Sequence, residues 1–384
     1  MKKILFYSLT CVSAMLAVNT SNAQSSVTIY GTIDAYVGSS QFSGSAHTLG
    51  VGDGGMSSSN IGFKGYEDIG GNLKANFDLN GFFTSDTGSS GRFSGDVGGG
   101  SLFGRAARVG LSGDFGKVDI GSGSTPYFMS MILFNPFVDS SGFSPIFLHT
   151  YTGGQFPISS PPLNGGTVAG GPDTRMNNMI EYDSPVFQGL RLSTQYGFGE
   201  VAGHAGKNRL SSAVFYNRGP FALTFAVERD TSSLSVNFAP GITPNELRQS
   251  SYMGGITYDF GVAKLFAQYE QTVKVFDVQN GDYHYKTFQL GTSAPLGSGK
   301  VLLSWARSQI TLPAGVSPYT IITGFATPPA SAATSGVNPV RNTVTLGYDY
   351  QLSKRTDLYA MYMRDQYTGL ESGNSLVIGM RHRF

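Results

Sequence analysis

Two charged side chains at the end of the chain could act on solutes, and their chemistry would be electrostatic. Arg381 and Arg383 occupy alternate positions, and successive side chains of a strand point to opposite faces. The opposite face carries Leu376, Ile378, Met380, His382 and Phe384. An alternating segment that ends on an aromatic residue is typical of the closing strand of an outer-membrane β-barrel. There the apolar face would meet lipid and the two arginines would point into water.

Residues able to make or break bonds do not form a recognisable catalytic set. A hydrolase would need a nucleophile beside a histidine with an orienting group. The sequence has no Gly-x-Ser-x-Gly turn and no paired histidines with metal-ligand spacing. Its five histidines are scattered, and three of them fall in expected loops: His47, His149 and His204. We therefore expect no enzyme activity, no cofactor and no metal site.

The N-terminus predicts export. Lys2 and Lys3 precede an apolar run that ends near Val18, and small residues lead up to Ala23. This is the pattern of a secretory signal peptide cleaved after Ala23, so the expected organisation is a signal at 1–23 and one barrel unit at 24–384. The single cysteine, Cys11, lies in the signal, which leaves no thiol for disulfides. With a net charge of +1 before cleavage, no basic surface indicates nucleic acid as a partner.

The strands themselves are indicated by period-two alternation and abundant glycine. The chain has 52 glycines, 12% aromatic and only 13% charged residues. Leu73, Ala75 and Phe77 alternate with Lys74 and Asn76, as in a strand with one apolar face. After the signal, no apolar run approaches the roughly 20 residues of a membrane helix. We find no convincing amphipathic helix, so the sequence is interpreted as β throughout.

The connections alternate strictly between short and long, as a barrel with periplasmic turns and external loops requires. The short turns are expected at Glu67–Gly71, Gly113–Gly116, Ser184–Gly189, Asn217–Pro220, Asp259–Gly261, Pro295–Gly299 and Leu352–Lys354. The long links are expected near 39–57, 84–101, 124–174, 200–208, 230–249, 271–283, 310–340 and 366–374. Seven turns and eight loops predict an all-β transmembrane antiparallel barrel of about sixteen strands, wide enough for an aqueous lumen. Aromatic girdles are expected at Tyr30, Tyr182, Phe187, Phe198, Phe221, Tyr258, Phe260, Tyr350 and Phe384.

Several blocks resemble one family, the trimeric general diffusion porins of Gram-negative bacteria in the branch of Neisseria, Bordetella and Burkholderia. They are SVTIYGTID at 26–34, GFKGYEDIGGNLKA at 62–75, FGRAARVGLSGDFG at 103–116, YDFG at 258–261 and RHRF at 381–384. The resemblance runs from the signal to the last residue. It implies a homotrimer in the cell outer membrane, among lipid and lipopolysaccharide, that passes small hydrophilic solutes and ions.

The resemblance also implies that the third external loop folds into each barrel and narrows it. The 124–174 link is the longest, and a structureless link of that length is unusual unless it has a role. Its aromatic residues are Phe134, Phe137, Phe143, Phe147, Tyr151 and Phe156. We interpret them as packing the loop against the inner wall. A stacking track for sugars or aromatic solutes is the alternative.

Charges along a narrow, partly dehydrated pore decide which ions pass. The family places arginines on the wall opposite the third loop, and Arg105 and Arg175 match two of them. Arg175 shares the parity of Asn177 and Glu181, which predicts that it faces inward. Two other family positions depart from the pattern, because Asn60 and Ser122 stand where arginine is usual.

Further charges complete the predicted constriction. Lys64 and Lys74 should face the lumen by parity and could offset the missing arginines. The acidic pattern usual in the third loop is not evident, and Asp139 is the only carboxylate between residues 120 and 172. Arg108 follows Arg105 by three residues, so both face inward only if a bulge intervenes. These residues predict weak anion preference.

Two other functions stay open at this point. A substrate-specific porin would carry a lumenal binding site for one solute class, and the aromatic third loop leaves room for it. A secreted β-solenoid or adhesin would show a fixed internal repeat, whereas this chain shows hairpins of unequal length.

Overall fold

A computed structural model describes residues 26–91, 101–151, 174–200, 208–231, 247–276, 282–311, 338 and 340–384. The predicted signal peptide lies outside these residues. In them the chain forms seventeen strands and two short helices. The strands are β1 (Ser26–Ser40), β2 (Thr48–Asp53), β3 (Asn60–Gly70), β4 (Leu73–Phe82), β5 (Ala106–Gly113), β6 (Gly116–Ser124), β7 (Arg175–Asp183), β8 (Leu190–Gly197), β9 (Arg209–Arg218), β10 (Phe221–Asp230), β11 (Leu247–Asp259), β12 (Lys264–Phe276), β13 (Tyr283–Leu296), β14 (Gly299–Thr311), β15 (Val340–Gln351), β16 (Thr356–Tyr367) and β17 (Gly373–Arg383). The helices are α1 (Pro126–Leu133) and α2 (Pro145–Thr150).

The strands close into one antiparallel barrel. From β3 to β17 each strand pairs with the next, and β17 pairs with β1 from Thr32↔Arg383 to Ser39↔Leu376. β3 pairs with the first half of β1, and the short strand β2 pairs with its second half. These two strands together occupy one position beside β1, so the seventeen strands form a barrel of sixteen positions. The predicted barrel of about sixteen strands is confirmed. Closure pairs β1 with β17 and so joins the two ends of the wall, as hydrocarbon requires; among the described strands, β2 pairs only with β1.

Six of the short turns overlap their predicted positions, whereas β3 continues to Gly70, so the first turn is Gly71–Asn72 rather than Glu67–Gly71. Two share one construction: the Asp68 carboxylate accepts the N–H of Gly70 at 3.0 Å, and Asp259 accepts the N–H of Gly261 at 2.8 Å. Both glycines have positive φ, 89° and 80°, a conformation that favours glycine. Between residues 39 and 57 the structure adds strand β2, which the sequence does not predict.

The two faces of the wall differ as the alternation predicts. On β17, the exposed fraction is 60% for Leu376 and Ile378, whereas Arg381 is only 5% exposed. On β16, Leu358 and Tyr362 face outward while Met361 and Asp365 are buried on the inside. The expectation for the last strand is therefore confirmed.

The aromatic residues expected at the interfaces are mostly on the outer face. Phe187, Phe198, Tyr258, Phe260, Tyr350 and Phe384 are all exposed. Tyr30 does not belong to a girdle: its hydroxyl donates to Asp78 Oδ1 at 2.5 Å inside the barrel. The reason is register, because Tyr30 shares the face of Thr32 and Asp34, which is the inner face of β1.

The interpretation of the chain as β throughout is wrong within the third external loop. Thr125 caps α1 by accepting the N–H of Phe128, and Pro126 begins the helix. Ser144 and Pro145 begin α2 in the same way. Both helices are buried on nearly all sides, so neither shows the one-sided apolar stripe of a surface helix. Neither of these two helices is long and apolar enough to cross a membrane.

Candidate functional site

The described part of the third external loop, residues 125–151, lies inside the barrel, and we call it the inner loop. Helix α1 follows the wall from β9 to β12. The Tyr127 N–H donates to Ser211 Oγ at 3.1 Å, and the hydroxyls of Ser130 and Thr224 are 3.0 Å apart. Both wall residues are buried and face inward. The predicted infolding of this loop is confirmed.

The aromatic residues of the inner loop pack against the wall in two clusters. The first joins Phe134 and Phe147 to wall residues Ala213, Phe215, Ala226 and Met253, with Tyr151 beside it. The second joins Phe137 and Phe143 to Leu302, Tyr359, Met361, Met363 and Val377. Because these phenylalanines are buried, their rings are not presented to solutes as a stacking track. Phe156 lies outside the described residues.

The end of the inner loop is held by hydrogen bonds to β12–β15. The His149 ring bonds the hydroxyls of Ser308 and Thr343, the latter at 2.7 Å. Its carbonyl accepts the Tyr285 hydroxyl at 2.7 Å. Burial, with the Arg341 guanidinium nearby, holds the pKa of His149 well below its usual range. Docking of the loop therefore favours the neutral form of this histidine.

The middle of the inner loop contacts the link between β2 and β3. Ser140 Oγ donates to the Gly55 carbonyl at 2.5 Å. The next residues of that link are tied to β1, because the Asp34 carboxylate accepts the N–H groups of Met56 and Ser57 at 2.9 and 2.8 Å. The inner loop is thus attached to the wall at its beginning, middle and end.

Two of the predicted constriction residues come together on one aromatic ring. The guanidinium carbons of Arg105 and Arg175 lie 5.7 and 5.5 Å from the centroid of Phe82. Phe82 is buried at the end of β4. Asn60 joins them, because its Oδ1 accepts from Arg105 Nη1 at 3.4 Å and from Asn80 Nδ2 at 3.1 Å. The guanidinium groups of Arg105 and Arg175 and the side-chain amide of Asn60 therefore lie together at this point of the wall.

Arg175 reaches this point for a different reason from the one expected. The pairing of β6 with β7 shifts between Gly121 and Gly123, and Asn178 has a positive φ of 52°. The extra residue of this bulge reverses the alternation, so Met176 rather than Asn177 shares the buried face of Glu181. Arg175 and Asn177 therefore do not share the face of Glu181, and the predicted parity is wrong. Its side chain meets Phe82 from the first position of β7.

Lys64 and Lys74 lie on the inner face, over aromatic rings other than Phe82. Lys64 is paired with Asp78 in the register, and its Nζ is 4.6 Å from the centroid of Tyr30. Lys74 Nζ is 5.2 Å from the centroid of Tyr66 near the short turns. Each ammonium faces an aromatic ring, which leaves its positive charge in place.

Ser122 and Asp139 do not join the cluster. The register pairs Ser122 with Ala107, and Ala107 with Leu79, on the outer face. There the Ser122 hydroxyl donates to Asn177 Oδ1 at 2.7 Å. Asp139 is buried between α1 and α2, beside the contact of Ser140 with Gly55.

The comparisons with known proteins agree with the geometry of the barrel. The model of a family described as Gram-negative porin matches residues 10–370. This chain is a Gram-negative porin. It is 28% identical to outer membrane porin protein 32 of Delftia acidovorans, over 98% of this chain and 99% of that protein. It is also 28% identical to an outer membrane porin protein of Bordetella pertussis, over 97% and 98%.

Among solved structures, this porin superposes on the anion-selective porin from Comamonas acidovorans with a TM-score of 0.72. The two are 26% identical, and the match covers 94% of this chain and 100% of the other. The family places the protein in the cell outer membrane, where its members are channels. The secreted adhesin reading is therefore set aside.

The inner wall of this porin also carries an acidic group that sequence reasoning missed. Arg108 faces inward and lies 3.5 Å from Asp78, 3.5 Å from Asp119 and 3.1 Å from Glu181. Lys117 Nζ is 2.6 Å from Asp119. The alternation of β4 could have identified one of these acids, because Asp78 lies on the face opposite to the apolar residue Leu79 and should therefore face inward. Only the pairing of β4, β5, β6 and β7 shows that three carboxylates meet one arginine.

Proposed function

We propose that this porin is a general diffusion channel for small hydrophilic solutes and ions with a weak preference for anions. The observation that carries the proposal is the meeting of Arg105 and Arg175 on Phe82. Two positive charges at one point attract an entering anion and repel a cation, and low-dielectric walls strengthen both effects. The resemblance to an anion-selective porin also supports a preference for anions over cations.

The preference should be weak for two reasons. Asn60 and Ser122 add no charge at positions where the family resemblance leads one to expect arginine. The group of Asp78, Asp119 and Glu181 around Arg108 has more negative than positive charge. A passing ion therefore meets fields of both signs on one wall.

The reversal potential of the purified porin in a planar bilayer, measured across a salt gradient, tests this proposal. The R105Q/R175Q double variant should lose the anion preference and become neutral or cation-preferring. The matched control is R364Q, because Arg364 lies on the outer face of β16 and its charge should not be seen by permeating ions. Strong cation selectivity of the unaltered protein would overturn the proposal.

Competition for the ion current separates this function from a substrate-specific porin. A general channel should pass small sugars and organic anions without saturable block. A solute that blocks the current with a saturating dose dependence would instead favour a lumenal binding site for that solute.

We further infer that the mature protein begins at Gln24 and assembles as a homotrimer in outer-membrane lipid and lipopolysaccharide. A solved relative of the same fold is described as a trimer form. The mass of the purified mature protein tests the cleavage site, and the mass in detergent tests the trimer. Nucleic acid and cofactors have no part in this proposal.

A further inference from the structure

The wall behind the inner loop has glycine at three positions against which the loop packs. Gly255 of β11, Gly291 of β13 and Gly347 of β15 face inward on every second strand, and we call them the glycine row. A Cβ at Gly255 would lie 3.1 Å from Phe134 Cβ, and one at Gly291 would lie 2.8 Å from Pro136 Cγ. At Gly347 the distance to Phe137 Cε1 would be 3.1 Å.

These contacts are closer than ordinary van der Waals distances, so any larger side chain must move the loop or the wall. None of the three glycines has a positive φ, and backbone conformation is therefore not the reason for glycine. Glycine within a strand often marks close approach of another part of the chain. Here the approaching segment is 134–137, which joins α1 to the buried residues before α2.

The neighbouring glycine of β11 shows that the effect depends on the face. Gly254 points away from the loop, and a Cβ there would meet nothing within 4 Å. Gly254 and Gly255 are adjacent in β11, and neither has a positive φ. They differ in whether the inner loop lies against them.

We propose that the glycine row is a set of positioning residues that decides how far the inner loop stands out from the wall, and thereby the width of the pore. The loop is attached on one side by the bond of Tyr127 to Ser211, and on the other by that of Ser140 to Gly55. With both sides attached, side chains added behind 134–137 push this segment toward the pore axis. This inference rests on the channel function of the family and not on the proposed ion preference.

Single-channel conductance in a planar bilayer tests the proposal. G291A should lower the conductance, and G255A/G291A/G347A should lower it further. The exclusion limit for neutral polyethylene glycols in proteoliposomes should become smaller in the same order. The reversal potential should stay unchanged, because Arg105 and Arg175 are untouched. G254A is the matched control and should conduct like the unaltered porin.

A compensating change keeps the test decisive where the triple variant does not fold. Replacing Phe137 by leucine removes the ring atom nearest to Gly347, so G347A/F137L should regain conductance that G347A alone loses. Unchanged or higher conductance in folded G291A and G347A would overturn the proposal. The proposal would also be overturned if G347A lowers the conductance and the double variant G347A/F137L does not restore it.

Discussion

The two sides of the lumen are built on opposite principles. From β9 to β15 the wall is covered by the inner loop, with buried phenylalanines and glycines, and its charges are buried in ion pairs such as that of Arg341 with Asp365 at 2.8 Å. From β3 to β7 it carries Arg105, Arg108, Arg175 and the carboxylates around Arg108. The first side holds a segment in place, and the second presents charge to water. Changes on the first side should alter pore width and stability, and changes on the second should alter ion preference.

The largest loss of stability is expected from a cavity on the side of the lumen that the inner loop covers. Phe147 is fully buried in the first cluster, and its replacement by alanine should cost about 4 kcal/mol in the free energy of unfolding. Thermal unfolding in detergent measures this loss. Because no charge changes, the reversal potential should stay where it is while the conductance becomes noisier. A shifted reversal potential would show that the two sides are not independent.

The next effect concerns the charged side. R108Q should lower stability on the order of 3 kcal/mol, because it leaves Asp78, Asp119 and Glu181 without their shared cation. It should also move the reversal potential toward cations. R191Q is a suitable control, since the ion pair of Arg191 in the described residues is with Asp183, at 2.8 Å and partly exposed, and such pairs contribute at most about 1 kcal/mol. Its guanidinium also lies 4.6 Å from the centroid of the Phe215 ring. Equal losses in both variants would contradict the assignment of Arg108 as the centre of the group.

Removing one acid from the same group should act in the opposite direction. D78N takes a negative charge from the inner wall and leaves Arg108 paired with Asp119 and Glu181. The anion preference should rise, by less than the double arginine variant lowers it. The bilayer reversal potential measures the change, and a shift toward cations would be incompatible with our description of this wall.

The smallest effect is a pH dependence on the packed side. The pKa of His149 is lowered by burial and by Arg341, with Asp365 opposing; Glu270 reaches the next residue, Thr150, at 2.6 Å. A histidine with a lowered pKa stabilises the folded form fully above its unfolded pKa of about 6.5 and loses this contribution as the pH falls below it. The contribution of His149 to the unfolding temperature should therefore fall between pH 7.5 and 5.

H149Q is the control for this prediction, because glutamine can both donate and accept a hydrogen bond but does not titrate in this range. The drop on acidification should be smaller in H149Q than in the unaltered porin. The same drop in both proteins would assign the pH dependence to other groups.

Much of the fold follows from the sequence because strands and short turns are specified by residues that are neighbours in the chain. Alternation identifies the lipid face of β17 from ten residues, and each short turn is written in a few residues such as Asp259, Phe260 and Gly261. The length of the 124–174 link and its aromatic residues indicate a loop packed inside the barrel. Arg105 was also identified, through a block of sequence that the family shares.

The tertiary structure decided what depends on partners far away in the chain. A single extra residue near Asn178 reversed the alternation for Arg175, while the register placed Ser122 outside and Tyr30 inside. Helices α1 and α2 form because the barrel buries them, and their sequence lacks the one-sided pattern that would predict them. Arg108 meets three carboxylates because the pairing of β4, β6 and β7 brings Asp78, Asp119 and Glu181 beside it. Period-two alternation specifies the face of each residue along one uninterrupted strand, whereas bulges and cross-barrel contacts arise only when the strands meet.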